Sequence, residues 1–164
     1  MTRRGALFRQ WNDRISKITP KIYVGEIMTR AFPEFLEGIG VDTVISILSV
    51  EHLHKYAPGY PVDPRFKHHT FRYGDHDPIP PATMLEIVES FGETTLVHCI
   101  SGSNRSTAVT LSRLIYEGMD PIEACHLYWT ARGAELARVY KTMPKMSPEM
   151  LGSVIGFRDW LAKR

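Results

Sequence analysis

A chain of 164 residues with 20 basic and 18 acidic side chains and a net charge of +2 is long enough for one domain with a proper core and too short for two. Opposite charges are interspersed with no like-charged block longer than a pair, so the balance does not call for nucleic acid. Two cysteines, Cys99 and Cys125, give no disulfide framework and point to a reducing, cytoplasmic setting. No stretch approaches the ~18 apolar residues of a membrane span, and the basic start of the chain lacks the apolar core of a secretory signal.

In chain order, Leu7, Trp11 and Ile15 recur every four residues among arginines and polar groups, which predicts an amphipathic N-terminal helix over 1–16 of a single domain spanning 1–164. KIYVGE (21–26) reads as a strand with Gly25 at a turn, and FPEFLEGIG (32–40) as a helix with Pro33 in its first turn and glycines at its end. VDTVISIL (41–48) is β-branched and suits a buried strand, and HHTFRYG (68–74) suits another. PPATMLEIVESFG (80–92) has an early proline and apolar residues at helical spacing; TTLVHC (94–99) reads as a central strand. Helices follow over 105–118, 120–133 and 147–164, the last with Ser147 as its cap and Pro148 at its first position. Strands alternating with helices predict a layered α/β fold, with a central, mostly parallel, twisted sheet flanked by helices.

The junction of strand 94–99 with the next helix puts Arg105 where a helix already carries partial positive charge. That arrangement is unfavourable by a few tenths to about 1 kcal/mol unless an anion sits there too. Between Cys99 and Arg105 lie Ile100, Ser101, Gly102, Ser103 and Asn104. These are mostly small or polar residues around a glycine that can turn left-handed and aim successive backbone N–H groups inward. Such a nest at a helix start cradles phosphate, and the planar fork of Arg105 matches two phosphate oxygens as a lysine cannot. The same field lowers a cysteine pKa from ~8.5 toward roughly 3.5 to 7.5. Cys99 is then placed to attack phosphorus and form a phosphocysteine. Ser106 can hydrogen-bond the sulfur and help it leave. A leaving oxygen needs a proton, and the proline-rich stretch 73–81 offers two candidate acids, Asp75 and Asp77. Backbone amides and Arg105 neutralise the equatorial oxygens, so this chemistry asks for no metal and no cofactor.

The run His98-Cys99-Ile100-Ser101-Gly102-Ser103-Asn104-Arg105-Ser106 resembles the H-C-x-x-G-x-x-R-S/T signature of the cysteine-dependent protein tyrosine phosphatases, in their dual-specificity branch. The resemblance extends over roughly 15–162, through the opening strand, helix and strand and the FRYGDHDPIPP loop. It implies Cys99 as nucleophile, Arg105 as phosphate clamp, Ser106 as the hydroxyl assisting the second step and Asp75 as general acid, with Asp77 as the alternative. It also implies His98 as an orienting residue behind the loop, and Ile100 to Asn104 as donors of backbone amides. The chain lacks the extra recognition segments of the larger tyrosine-specific enzymes. The implied substrate is therefore a phosphorylated protein, bearing phosphotyrosine or, in a shallower site, phosphoserine and phosphothreonine.

Other readings compete. Relatives sharing the loop act on RNA 5′-triphosphate ends or on phosphoinositides. Asn104 is similar to the RNA-end branch, while the absence of lysine between Cys99 and Arg105 speaks against strongly anionic inositol headgroups. A third alternative is a module that binds phosphorylated partners with weak turnover. Cys125, near Ala124, Leu127 and Tyr128, reads as core. His52, His54, His68, His69 and His76 lack the tight spacing of a structural zinc site and read as surface or strand residues.

Overall fold

The computed structural model describes residues 14–140 and 146–164, the side chains of 133–140 excepted. Strands β1 (Ile15–Thr19), β2 (Ile22–Gly25), β3 (Thr43–Ile47), β4 (Lys67–Phe71) and β5 (Thr95–His98) form one sheet in the order β1-β2-β5-β3-β4. β1 pairs antiparallel with β2, while β2, β5, β3 and β4 run parallel. The central strands are buried on both faces, which is why they read as near-continuous β-branched runs rather than as alternating ones. In β5, Leu96 joins Val44, Leu36 and Phe66 on one face, while Val97 joins Val24, Ile45 and Ile47 on the other. Successive side chains alternate across the pleat, so one short strand serves two cores.

Those cores are unequal. The thinner face is covered by α1 (Pro33–Gly38), whose buried side chain is Leu36. The thicker face carries α3 (Pro81–Glu89), α4 (Arg105–Tyr116), α5 (Pro121–Tyr140) and α6 (Pro148–Ala162), after the short α2 (Val50–Lys55) that follows β3. Met84, Ile87, Val109, Leu111, Tyr128 and Phe157 fill the space between these four helices and the sheet. Ser147 caps α6 by accepting from the Met150 N–H, with Pro148 at the helix start. That single cap contributes about 1 kcal/mol. Among the described residues no helix is long and apolar enough to cross a membrane.

Two expectations need correction, and one element was unforeseen. The helix expected over 1–16 lies outside the described residues through position 13, and Ile15 and Ser16 belong to β1, not to a helix. β1 turns back on β2 through Pro20-Lys21, and that antiparallel pairing, with Ile15 and Ile18 in opposite cores, decides its state rather than the four-residue spacing. Helix α2 was not expected at all: Ser49 caps it by accepting from the His52 N–H. Cys125 is exposed rather than core, while its neighbours Ala124 and Tyr128 point inward.

The parallel strands all deliver their C-terminal ends to one edge. There the chain leaves β5 between β2 and β3, the crevice where open α/β sheets bind ligands.

Candidate active site

Cys99 follows β5 directly, and α4 begins at Arg105, so residues 100–104 form the whole turn between strand and helix. Gly102 has φ +69°, and a Cβ there would stand 2.3 Å from Arg132 Nη2 and 2.6 Å from the Gly25 carbonyl oxygen. Both the left-handed backbone and the close approach require glycine. The loop's carbonyls are drawn backward. Arg132, from α5, donates Nε to Gly102 O at 2.6 Å and Nη2 to Ser101 O at 3.4 Å, and the Ile27 N–H donates to Ile100 O at 3.1 Å. With those oxygens tied behind, the N–H groups are left for the concave side. Asn104, the residue before α4, makes no side-chain cap bond to its helix.

Cys99 is buried, and its sulfur lies 3.3 Å from Ser106 Oγ. Burial pushes the thiol up. The Arg105 charge, the Ser106 hydroxyl and the backbone N–H groups of Ser106 and Asn104 outweigh it, and the pKa ends below the ordinary cysteine value. Arg105 is 1% exposed and donates Nη1 to Tyr73 O at 3.0 Å, with His52 Nδ1 at 3.2 Å accepting from the same nitrogen. Its Nε stands 3.1 Å from Asp75 Oδ1, an ion-pair distance. The N–H is nevertheless not aimed at that oxygen, so this buried nitrogen has no formed hydrogen bond. A guanidinium so held has donor capacity in reserve.

The two candidate acids separate cleanly. Asp77 Oδ2 accepts from the Gly74 N–H at 2.7 Å and closes its own turn. Asp75 instead faces the phosphate-type loop: Oδ1 accepts from Asn104 Nδ2 at 3.1 Å, and its carbonyl accepts from Ser147 Oγ at 2.8 Å and from Asn104 Nδ2 at 3.2 Å. The rest of the stretch is pinned to α6, where the Ile79 N–H donates to Ser153 Oγ at 2.8 Å and His76 stands 3.3 Å from Glu149.

Behind the loop, His98 is fully buried. A carbonyl only accepts, so the contact of His98 Nδ1 with Cys99 O at 2.9 Å places the proton on Nδ1. Nε2 must then accept from Ser46 Oγ at 2.6 Å. The Ser46 oxygen in turn accepts from Arg30 Nη1 at 3.1 Å and from His68 Nε2 at 2.8 Å. Burial, aided by Arg30, holds His98 down at about 3 and His68 at about 4, so both stay neutral at ordinary pH. Among the described residues no group of three or more His, Cys, Asp or Glu side chains gathers to hold a metal ion.

Arg132, Arg30 and Ser46 are absent from the sequence reading, and His52, read there as a surface or strand residue, sits in α2 with its Nδ1 against Arg105. Arg132 did leave a trace: it follows Ala124 and Tyr128 at four-residue steps, and all three are buried. An arginine on the apolar stripe of a helix needs buried acceptors. Arg30 and His52 left none, since their partners lie far along the chain, Tyr60 and Ser46 for Arg30 and Arg105 for His52.

No protein-family model and no curated protein sequence matches the chain. Solved structures do. Human DUSP28 superposes with a TM-score of 0.66 at 18% identity, covering 91% of this chain and 95% of that one. A mouse putative dual specificity phosphatase complexed with zinc tungstate gives 0.66 at 17% identity, covering 92% and 90%. PTPMT1 in complex with PI(5)P gives 0.64 at 16%, covering 92% and 97%. The chain has the dual-specificity phosphatase fold.

Proposed function

We propose that this chain is a cysteine-dependent phosphatase that hydrolyses phosphate monoesters on proteins, at phosphotyrosine and also at phosphoserine and phosphothreonine. The observation that carries the reading is the convergence on one sulfur of Arg105, the Ser106 hydroxyl and two helix-start N–H groups. A thiolate there attacks phosphorus while the bond to the leaving oxygen breaks, and Asp75 passes that oxygen its proton. The inward N–H groups of residues 100–104 and the Arg105 fork stabilise charge on the equatorial oxygens. In the second step water attacks the phosphocysteine and gives a proton to the Asp75 carboxylate. The phosphorus–sulfur bond breaks as the Ser106 hydroxyl supports the departing sulfur. His98, bonded to the Cys99 carbonyl, orients the loop from behind.

The test is hydrolysis of a small aryl phosphate in the presence of a metal chelator. Activity is expected to persist with the chelator and to vanish in Cys99→Ser, and acid quench of the native protein should trap a phosphate adduct on Cys99. Chelator-sensitive turnover that survives Cys99→Ser would discard the mechanism. The phosphoinositide reading draws support from the likeness to PTPMT1 with PI(5)P. Rates on phosphotyrosine and phosphothreonine peptides, PI(5)P and RNA 5′-triphosphate, measured side by side, decide between substrates.

A further inference from the structure

Asparagine is among the best residues for capping a helix start, yet Asn104 makes no cap bond to α4. Its whole side chain is committed outward. Nδ2 donates to Asp75 Oδ1 at 3.1 Å and Asp75 O at 3.2 Å, with Ser147 Oγ at 3.3 Å, while Oδ1 accepts from the Ser147 N–H at 2.8 Å. One residue of the phosphate loop thus grips both the acid stretch and the start of α6. The Asp75 side chain is 46% exposed, and besides Asn104 its carboxylate meets only Arg105 Nε among the described residues. A phosphate in the loop takes the Arg105 fork, so that contact yields when substrate binds. The Asn104 amide is the contact that remains.

We propose that Asn104 is a positioning residue, whose side-chain amide clamps Asp75 to the phosphate loop and sets where the proton is delivered. This rests on the reading of Asp75 as proton donor. Asn104 immediately precedes Arg105, so the donor's placement is tied to the same few residues that grip the phosphate. A carboxyl held only by the bond from its carbonyl to Ser147 could swing toward solvent. Misplacement of about 1 Å costs on the order of 10²-fold in rate.

The experiment compares kcat/KM, which reports the step that expels the leaving group, on p-nitrophenyl phosphate, whose leaving group needs little protonation, with kcat/KM on an alkyl phosphate, whose leaving group needs it fully. Asn104→Ala is expected to lose about 10-fold to 100-fold more on the alkyl ester than on the aryl one. In the Asp75→Ala background the same change should add no further discrimination between the two esters, because both act through one group. Asn104→Asp provides the isosteric control. It keeps an acceptor for the Ser147 N–H but replaces the donor facing Asp75 with an oxygen, so it should match or exceed the alanine variant's discrimination while melting close to the parent. Equal slowing of both esters by Asn104→Ala, or undiminished alkyl turnover in Asn104→Asp, overturns the proposal. Absence of leaving-group discrimination in Asp75→Ala itself overturns the acid assignment instead, and the two failures are distinct.

Discussion

The concave and the rear sides of the loop between β5 and α4 each carry a nearly fully buried arginine, and the two are used oppositely. Arg132, behind, has its donors committed: Nε to Gly102 O, Nη1 to Ser16 Oγ and Val24 O, Nη2 to Ser101 O. Arg105, in front, bonds through Nη1 and leaves Nε without a formed hydrogen bond. A buried donor left unmade costs about 1–3 kcal/mol, so the front carries a penalty that the rear avoids. The difference separates scaffold from receptor. The rear guanidinium fixes backbone shape through four of its five N–H donors, whereas the front one keeps Nε at ion-pair distance from Asp75 without a formed hydrogen bond.

The sharpest way to break this contrast is Arg105→Lys. Removing the fork is expected to cost about 10³-fold in kcat/KM, the scale of losing a preorganised oxyanion donor. The melting temperature should move by no more than ~2 °C. Calorimetry showing a large drop would make Arg105 scaffold too. Next comes Arg132→Met, which leaves the carbonyls of Gly102, Ser101 and Val24 without this donor. A loss of about 3 kcal/mol is expected from the urea midpoint, or roughly 10 °C in melting temperature. An unchanged midpoint would mean that the rear contacts hold nothing.

A last test concerns the rear histidines. In the fold, His98 takes its proton at about 3 and His68 at about 4, both held down by burial and by Arg30. The unfolded chain protonates each near 6.5, so it binds more protons through the interval between. Their contribution to stability is therefore full above about pH 6.5 and is lost as pH falls toward 4 and then 3, by up to ~1.4 kcal/mol per pH unit for each histidine. Urea titrations at pH 7 and pH 5 should show the decline, and His68→Gln should flatten it. A pH-independent midpoint over that range would count against buried neutral imidazoles.

The front was largely legible because its parts are neighbours in sequence. Cys99 through Ser106 form one strand-turn-helix junction, and the oddity of Arg105 at a helix start was enough to infer an anion. From the residues alone the choice between Asp75 and Asp77 was not legible, and only the family resemblance favoured Asp75. Both sit in the same short turn, and only the Gly74 N–H, taken by Asp77, shows which carboxylate is spent locally. The rear was mostly hidden, since Arg132 reaches the loop from α5 while Arg30 and His68 reach His98 through Ser46, and these bonds between separate elements depend on how the layers stack. β1 was misread because the four-residue recurrence ends on Ile15, whose state is decided by pairing with β2 rather than by local spacing.

The closeness of Gly25 to Gly102 sets a limit on transplanting this chemistry. A Cβ at Gly25 would meet Thr29 Oγ1 at 2.7 Å, and one at Gly102 would meet the Gly25 carbonyl. An engineer who grafts only the stretch from Cys99 to Arg105 onto a foreign scaffold moves the reactive atoms without their mould. The recipient must also bring a strand carbonyl close against the loop's glycine and a guanidinium arriving from a helix behind. Sequence drift in a descendant is bound the same way, because these distant positions can change only as a set.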